Sequence, residues 1–211
     1  MAGKKTQSRS RKTFQTILDT ATEQFAQRGY EGARIDEIAR QAGVNKASLY
    51  YHFGDKSGLY NQVLIRVLSG ISQRITENIK QAATHEERLR VYILTLSNNI
   101  GDSPHFAPIL SRVIADTDRE LPEQIVQQIM QVFGALFYII EEGQADGRFR
   151  QASPMVVYHL IVGGLMHYRA GETLRARISS LGETVFERKL DAPFDVAAGH
   201  VADIIVNSIR K

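Results

Sequence analysis

Helical periodicity runs through nearly the whole sequence, and this feature restricts the fold most. Apolar residues near the N-terminus recur at the spacing of one face of an α-helix; they are Phe14, Ile17, Leu18, Ala21 and Phe25. No stretch alternates between apolar and polar residues for long enough to indicate a β-strand. The sequence therefore predicts an all-α fold with about nine helices.

Glycines separate the first helices. The first helix is expected to end at Gly29-Tyr30, because glycine readily takes the left-handed conformation of a helix C-terminus. A short second helix stops at Gly43. Asn45 is a suitable N-cap for a third helix over residues 46–53.

A long fourth helix and a larger bundle are expected to follow. Asp55 caps the fourth helix, whose apolar positions continue as far as Ile75. All five prolines lie in the remainder of the chain, and four stand where a helix would begin, since proline's missing N–H is not needed there. Ser103 and Ser153 precede two of them as N-caps. The later helices are predicted near residues 86–100, 104–116, 122–145, 154–175 and 193–210, and residues 176–192 as a loop with a short helical turn.

Positive charge is concentrated at the N-terminal end. The 211-residue chain has a net charge of +3, but residues 1–60 hold ten basic and six acidic residues, against sixteen and seventeen in residues 61–211. We expect residues 1–10 to form a basic disordered tail. The asymmetry indicates that this end of the chain meets a polyanion such as nucleic acid.

Composition excludes several classes of protein. The absence of cysteine rules out disulfides, thiolate metal sites and thiol catalysis. No apolar run reaches the roughly 18 residues of a membrane span, and the basic N-terminus is not followed by the apolar run of a signal peptide. We therefore expect a cytoplasmic protein without a membrane partner, a metal or a cofactor.

Residues 33–52 have the pattern of a helix-turn-helix, two short helices with Gly43 between them. In this motif the second helix enters the major groove of DNA. Leu49 and Phe53 are four residues apart and can face the preceding helix. The side chains left on or near the outward side are Lys46, Ala47, Ser48, Tyr50, Tyr51 and His52. Lys56 begins the next helix, where backbone N–H groups and the helix dipole attract phosphate.

The outward side chains suit contacts with DNA. Lys46 can donate to guanine or to phosphate, Ser48 can contact base or backbone, and Ala47 can touch a thymine methyl group. Tyrosine hydroxyls donate to phosphates from a rigid arm. The alternative is that the aromatic residues form the core of a small three-helix unit, as we expect for Phe53 and in part for Tyr50.

Residues 11–64 resemble the DNA-binding domain of the TetR family, the tetracycline-repressor-like bacterial transcriptional regulators. The similarity rests on "FAQRGYEG", "IDEIARQAGVNKASLYYHF" and "DKSGLYNQVL", and most specifically on the run "LYYHF" followed by Lys56. The resemblance implies a DNA-binding domain over residues 11–60 and an effector-binding and dimerisation domain over residues 61–211. It also implies that the protein is not an enzyme.

The chain departs from the family pattern at Ala33-Arg34. Members usually carry two hydroxyl residues there, which cap the second helix and bind phosphate. We expect Arg34 to supply the phosphate contact instead. Asp36 and Glu37, in the first turn, partly offset the missing cap through the helix dipole.

The resemblance further implies a homodimer, held by a four-helix bundle of the helices predicted at 154–175 and 193–210. The residues expected at the interface are Val156, Leu160, Gly163, Gly164, His167, Val201, Ile204, Ile205 and Ile209. The alternative is that both helices pack only within their own chain. A two-fold dimer would bind double-stranded DNA whose operator is an inverted repeat.

The family's larger domain usually holds a small-molecule pocket. Candidate lining residues are Tyr92, His105, Phe106, Arg112, Phe133, Phe137, Tyr138, Tyr158, His159 and Met166, although each can also be ordinary bundle core or surface. Their mixture of apolar groups with a few Tyr and His suits a largely hydrophobic effector. The leading hypothesis is a repressor released from its operator by such an effector; the alternative is a DNA-binding regulator controlled by a protein partner.

The alternative from a different functional class is an all-α enzyme. Glu141, Glu142, His159 and His167 could serve as acid–base or metal groups. The sequence contains no Glu-x-x-His pair of the kind that di-iron bundles use. It also has neither a phosphate-binding glycine loop nor a His-Glu-x-x-His motif. A regulator is therefore favoured over an enzyme.

Overall fold

Helices make up the regular secondary structure of the chain. The computed structural model describes residues 2–116, 120–181 and 192–211, with the side chains of residues 2–6 and 181 excepted. Within these ranges there is no β-strand, and a lone bridge joins Phe149 to Arg210. The helices are α1 (Ala2–Gly32), α2 (Ile35–Gln41), α3 (Lys46–Phe53), α4 (Lys56–Leu68), α5 (Ile71–Ile79), α6 (His85–Asp102), α7 (Phe106–Ala115), α8 (Glu123–Ala145), α9 (Pro154–Ala170), α10 (Glu172–Leu181) and α11 (Phe194–Ile209). The predicted all-α fold is confirmed.

Eleven helices replace the expected nine in these ranges, because two of the predicted helices are divided at a glycine. The long fourth helix ends at Leu68, since Gly70 has a φ of 77° and starts the separate helix α5. Gly171 likewise separates α9 from α10 where one helix was expected. Helix α10 also occupies the start of the segment that was predicted as a loop, whose residues 182–191 lie outside the described part of the chain.

Most of the expected helix caps are present. The Asn45 side chain accepts a hydrogen bond from the Ser48 N–H, and the Asp55 carboxylate accepts one from the Gly58 N–H, each at 2.7 Å. Ser153 caps α9, with Pro154 in its first turn. The prediction for Ser103 was wrong: this residue ends α6, and its carbonyl accepts from the Phe106 N–H in a turn that precedes α7.

Helix α1 begins earlier than the sequence indicated. Its backbone is helical from Ala2, in the place of the tail expected over residues 1–10. Lysine, glutamine and arginine are good helix formers, and no proline interrupts this segment. The side chains of residues 7–10 are exposed, so this part of α1 lengthens the helix without joining the core.

The chain forms two compact units, Met1–Leu68 with Pro108–Ile125, and Ser69–Ala107 with Val126–Lys211. The first unit contains the predicted helix-turn-helix. Apolar side chains of its first four helices are fully buried, among them Ile17, Phe25, Ile38, Leu49 and Leu59. Burying them against one another fixes the short helices α2 and α3 on α1 and α4.

Helix α6 is the centre of the second unit and packs against α5, α9 and α11. Its buried positions follow the helical spacing and are Leu89, Tyr92, Ile93, Leu96 and Ile100. Helix α11 turns Ala198, Ala202, Ile205 and Ile209 inward. No helix in the described ranges is long and apolar enough to cross a membrane.

Candidate nucleic-acid interface

The turn between α2 and α3 is built on a left-handed glycine. Gly43 has a φ of 66°, and its N–H donates to the Arg40 carbonyl at 3.2 Å, while the Val44 N–H donates to the Ala39 carbonyl at 3.0 Å. A Cβ at Gly43 would meet nothing within 4 Å. Glycine is therefore required here by the backbone conformation and not by lack of space.

Helix α3 is divided into a buried and an open side. Leu49 and Phe53 are buried as predicted, and the Phe53 ring stacks on Phe14 with centroids 4.7 Å apart. On the open side, Tyr51 is 84% exposed and Tyr50 is 47% exposed. Two large aromatic side chains that carry hydroxyls thus face solvent at adjacent positions of α3.

The remaining candidates on α3 flank these tyrosines. Lys46 and Ala47 are exposed, and Ser48 is half-buried with its N–H bonded to Asn45. His52 is half-buried, and its ring meets Phe14 edge-on at 6.0 Å. One element therefore carries all six of the predicted side chains, with His52 the most enclosed by aromatic neighbours.

Lys46 does not stand alone in this surface. Its ammonium lies 2.6 Å from the Asp36 carboxylate in the first turn of α2, and both side chains are mostly exposed. The hydrogen bond to Asp36 raises the pKa of Lys46. Local spacing predicts only a helix-dipole role for Asp36, because the ion pair forms across the turn between two helices.

Lys56 lies where two helix ends meet. Its ammonium donates to the Glu31 carbonyl at 3.3 Å and stands 4.6 Å above the ring of Tyr30. A lysine has three donors, so two N–H bonds remain beyond the one to Glu31. The ammonium is thus held at the start of α4 by the C-terminal end of α1.

Arg34 precedes α2 in an extended conformation and is exposed, and no side chain caps this helix. Glu37 is occupied elsewhere, because its carboxylate accepts from Arg40 at 2.6 Å and from Gln41 at 2.7 Å. The hydrogen bond to Arg40 is the main cause that lowers the pKa of Glu37. Arg34 thus remains available to an anion at the start of α2.

Arg112 belongs to the first unit, whereas the other pocket candidates belong to the second. Its guanidinium donates to the Gln27 carbonyl at 2.8 Å and to the Ala26 carbonyl at 3.3 Å. These carbonyls face the point where Gly29, with a φ of 71°, interrupts α1. An arginine at a helix C-terminus satisfies free carbonyls and complements the dipole, so Arg112 fixes the end of α1.

Four of the ten predicted pocket residues form one aromatic cluster in the second unit. The Phe133 ring lies 5.5 Å from Tyr158 and 6.2 Å from Phe137, and Tyr158 lies 5.6 Å from His159. The buried Tyr92 hydroxyl donates to the Val132 carbonyl at 3.1 Å. Burial raises the pKa of both Tyr92 and Tyr158, so both phenols are neutral.

The other four candidates are placed differently. Phe106 and Met166 are buried, and His105 is half-buried. Tyr138 is exposed and lines an open groove of about 570 Å³ together with Ser72, Gln73, Thr76, Glu77, Ile79, Lys80, Gln131 and Ala135. A hydrogen bond to Glu142 raises the pKa of Tyr138. These four candidates therefore range from buried to exposed.

The outward side of α9 is apolar and contains most of the predicted interface. Val156, Leu160, Gly163, Gly164 and His167 are all exposed, with Leu160 at 58%. On α11, Ile204 is 66% exposed and Val201 is half-buried. Ile205 and Ile209 face inward and are buried in their own chain, so they cannot supply interface surface; the helical period puts them opposite Ile204.

The four side chains considered as acid–base or metal groups of an enzyme are either hydrogen-bonded to other residues or exposed. Glu142 accepts from Arg88 at 3.2 Å, and a His159 ring nitrogen donates to the Met155 carbonyl at 2.8 Å. Glu141 and His167 are exposed. Within the described ranges, no three His, Asp or Glu side chains are grouped in a way that could hold a metal ion.

Comparison with known proteins identifies the first unit. The family described as bacterial regulatory proteins, tetR family, matches residues 17–63. The fatty acid metabolism regulator protein of Bacillus subtilis (strain 168) is 25% identical over 141 residues, which cover 67% of this chain and 73% of that protein. The HTH-type transcriptional repressor NicS of Pseudomonas putida is 27% identical over 161 residues, covering 74% and 75%. The HTH-type transcriptional activator FasR of Mycolicibacterium smegmatis is 32% identical over 114 residues, covering 54% and 50%.

Solved structures share the fold over nearly the whole chain. The transcriptional regulator FadR from Bacillus subtilis, in complex with stearoyl-CoA, has a TM-score of 0.72 at 20% identity and covers 93% of this chain and 100% of that one. HlyIIR, a hemolysin II transcriptional regulator, has a TM-score of 0.64 at 23% identity, covering 96% and 99%. The helix-turn-helix unit, through residues 17–63, belongs to the tetR family of bacterial regulatory proteins, whose members are DNA-binding transcriptional regulators and not enzymes.

Proposed function

We propose that this chain is a sequence-specific repressor that leaves its operator when a small hydrophobic effector binds. The observation that carries the DNA-binding part is the open side of α3, where Tyr50 and Tyr51 are exposed over a buried anchor of Leu49 and Phe53. A helix that is held from one side and polar on the other can enter the major groove without rearrangement.

In this proposal the side chains divide into two groups. Lys46, Ala47 and Ser48 are at the N-terminal end of α3, the end that meets base edges in a helix-turn-helix. Arg34 and Lys56 stand at the starts of the neighbouring helices and contact phosphate, with Tyr50, Tyr51 and His52 completing the surface. The exposure of Arg34 and the two N–H bonds of Lys56 beyond its bond to Glu31 support this division.

The proposal includes a homodimer. Exposed apolar residues, Val156 and Leu160 on α9 and Ile204 on α11, are costly in water and are stabilised when a second copy covers them. The glycine pair Gly163-Gly164, with open space around both Cα atoms, lets helices approach closely. Two copies of α3 related by two-fold symmetry would read an inverted repeat.

The aromatic cluster of Phe133, Phe137 and Tyr158 supports a hydrophobic effector. Neutral phenols beside apolar rings provide an environment that suits a long acyl chain. The structure of FadR contains stearoyl-CoA, and the curated relatives include a fatty acid metabolism regulator, which favours the same ligand chemistry here. Repression is favoured by the similarity to the repressor NicS, although the activator FasR is also related.

The test is a DNA-release experiment. The full-length protein is bound to its own upstream DNA, located by footprinting, and stearoyl-CoA or CoA alone is then added. We expect stearoyl-CoA to release the DNA and CoA alone to leave it bound. Retention of the DNA with both compounds would contradict an acyl effector and favour control by a protein partner, and the absence of any protected DNA would contradict the function itself.

The effector region has its own test. Tyr158→Ala removes one ring of the cluster and is expected to raise the concentration of stearoyl-CoA needed for half-maximal release by at least about tenfold, as the loss of a buried aromatic contact of roughly 1.5 kcal/mol predicts. DNA affinity without ligand is the internal control and should not change. An unchanged ligand response would remove the cluster from the effector site.

A further inference from the structure

An acidic side chain stands in the surface that is proposed to meet DNA. Asp36, in the first turn of α2, lies 2.6 Å from the Lys46 ammonium at the start of α3. Both side chains are mostly exposed, and an exposed ion pair contributes little to folding stability. The ion pair therefore adds little to the stability that Asp36 contributes through the helix dipole at the start of α2.

The position is also unfavourable for simple attraction to DNA. Non-specific affinity comes from neutralising phosphates with lysine and arginine, and a nearby carboxylate opposes it. The other acid of this turn, Glu37, is engaged by Arg40 and Gln41, whereas Asp36 is bonded to Lys46, a proposed DNA contact. Asp36 thus reduces the attraction of Lys46 for any phosphate it could reach.

We infer that Asp36 is a positioning residue for sequence readout: it binds one donor of the Lys46 ammonium, weakens the attraction of that ammonium for phosphate and leaves its other donors for a base edge. This inference rests on the proposed DNA-reading role of α3. A lysine has three donors, so one N–H bonded to Asp36 leaves two for guanine O6 and N7 in the major groove. The carboxylate of Asp36 lowers the affinity of the protein for every DNA sequence and increases its preference for the correct base.

The test compares a specific and a non-specific duplex. The specific duplex carries the sequence that the unmodified full-length protein protects in footprinting, and the other carries the same bases shuffled. For Asp36→Asn we expect tighter binding to the shuffled duplex and a specificity ratio lower by about tenfold, the scale of one base contact. The salt dependence should steepen by about 0.9 in the slope of log K against log salt, since Lys46 gains a phosphate.

Asp19→Asn is the matched control. Asp19 belongs to the same unit and forms an exposed ion pair of 2.5 Å, but its partner is Arg66 on α4 and not a residue of α3. The substitution makes the same change in net charge. We expect it to alter binding to both duplexes by the same factor, which leaves the specificity ratio as it is.

A double variant tests whether Asp36 acts through Lys46. In a Lys46→Gln background, Asp36→Asn should no longer change the specificity ratio, because the ammonium that it binds is absent. Normal thermal stability of the single variants would accompany this result, since both side chains are exposed.

Three results would overturn the inference. One is an equal change on both duplexes for Asp36→Asn, as for Asp19→Asn. Another is a specificity effect that persists without Lys46. In both of these cases the unmodified protein still protects its operator, so the proposed function is not contradicted. The third result is an unmodified protein that protects no DNA, which overturns the proposed function and this inference together.

Discussion

Two lysines of the helix-turn-helix unit are held by different partners, and this difference assigns them different roles. Lys46 is bonded to a carboxylate on the outer surface, whereas Lys56 is bonded to a main-chain carbonyl and lies over an aromatic ring. The negative charge of a carboxylate weakens the attraction of a bound ammonium for phosphate. A carbonyl and an aromatic ring carry no net charge and do not cancel the charge of the ammonium. Lys46 therefore suits base readout and Lys56 suits a phosphate contact.

Lys56→Ala is expected to weaken binding to all DNA sequences by a similar factor, because a phosphate contact carries no base information. The slope of log K against log salt should become shallower by about 0.9. Loss of the bond to Glu31 and of the contact with Tyr30 should also lower the free energy of unfolding by about 1–2 kcal/mol. Binding titrations at several salt concentrations measure the first effect, and denaturant unfolding measures the second.

Lys80→Ala provides the comparison for that experiment, since Lys80 is the exposed C-cap residue of α5 in the other unit. The same charge is removed there, and the salt slope should not change. A Lys56→Ala protein with an altered base preference and an unaltered salt slope would refute the phosphate assignment.

Lys46→Ala is expected to relax the preference at one position in each half-site, by about 1–3 kcal/mol. The reason is that the side chain reads a base edge and not the backbone. Selection from a pool of operators with one randomised position at a time measures the preference. A uniform loss across all variants would make Lys46 a phosphate contact instead.

At the scale of elements, glycines with a positive φ fix where the helices end. Gly29 and Gly43 both have a positive φ, but their surroundings differ. A Cβ at Gly29 would lie 2.9 Å from the Arg112 guanidinium, whereas one at Gly43 would meet nothing within 4 Å. The two sites thus differ in the contact that an added side chain would make.

Gly43→Ala should lower the free energy of unfolding by about 1–2 kcal/mol, the cost of a side chain in the left-handed region. Gly29→Ala should cost more, because its φ of 71° and ψ of −180° lie in a region reserved for glycine and because Arg112 must move. Urea unfolding of both variants gives the two values. Equal costs would show that Arg112 does not constrain the end of α1.

Local signals in the sequence identified the elements of the helix-turn-helix. Asn45 and Asp55 cap their helices as predicted, and Leu49 and Phe53 face inward because residues four apart share one side of a helix. The break at Gly70 was missed, since the apolar pattern continues across it and glycine inside a helical pattern is often tolerated.

Contacts between distant residues could not be predicted in the same way. The Arg112 guanidinium donates to a carbonyl of α1 that lies 85 residues earlier in the chain, and no local spacing reveals such a pairing. It was placed in the pocket from family expectation, whereas the structure puts it beside α1. Local spacing also does not predict the ion pair of Asp36 with Lys46, because that pair depends on how two helices pack.

At the scale of the whole molecule, the outward face of α9 determines the proposed assembly. Gly164→Arg should give a folded monomer with greatly reduced operator affinity, because each copy then meets one half-site only. The substitution fits within one chain, since a Cβ at Gly164 meets nothing within 4 Å. Light scattering reports the mass, and circular dichroism reports the fold.

Gly134→Arg is the matched variant for the dimer test. Gly134 is an exposed helical glycine of α8 with the same open space around it. It lies outside the proposed interface, so this variant should remain a dimer. If Gly164→Arg also remains a dimer and still protects both half-sites, then α9 does not form the interface.

Footprinting of the unmodified protein on its own upstream DNA tests the central claim most directly, because it reports both the reading of sequence by α3 and the two-fold arrangement. We predict two protected half-sites that form an inverted repeat on one face of the duplex, with centres about 34–36 Å apart, or somewhat more if the DNA is deformed. A single asymmetric protected segment would contradict the two-fold dimer. No protected segment at all would contradict sequence-specific binding by this chain.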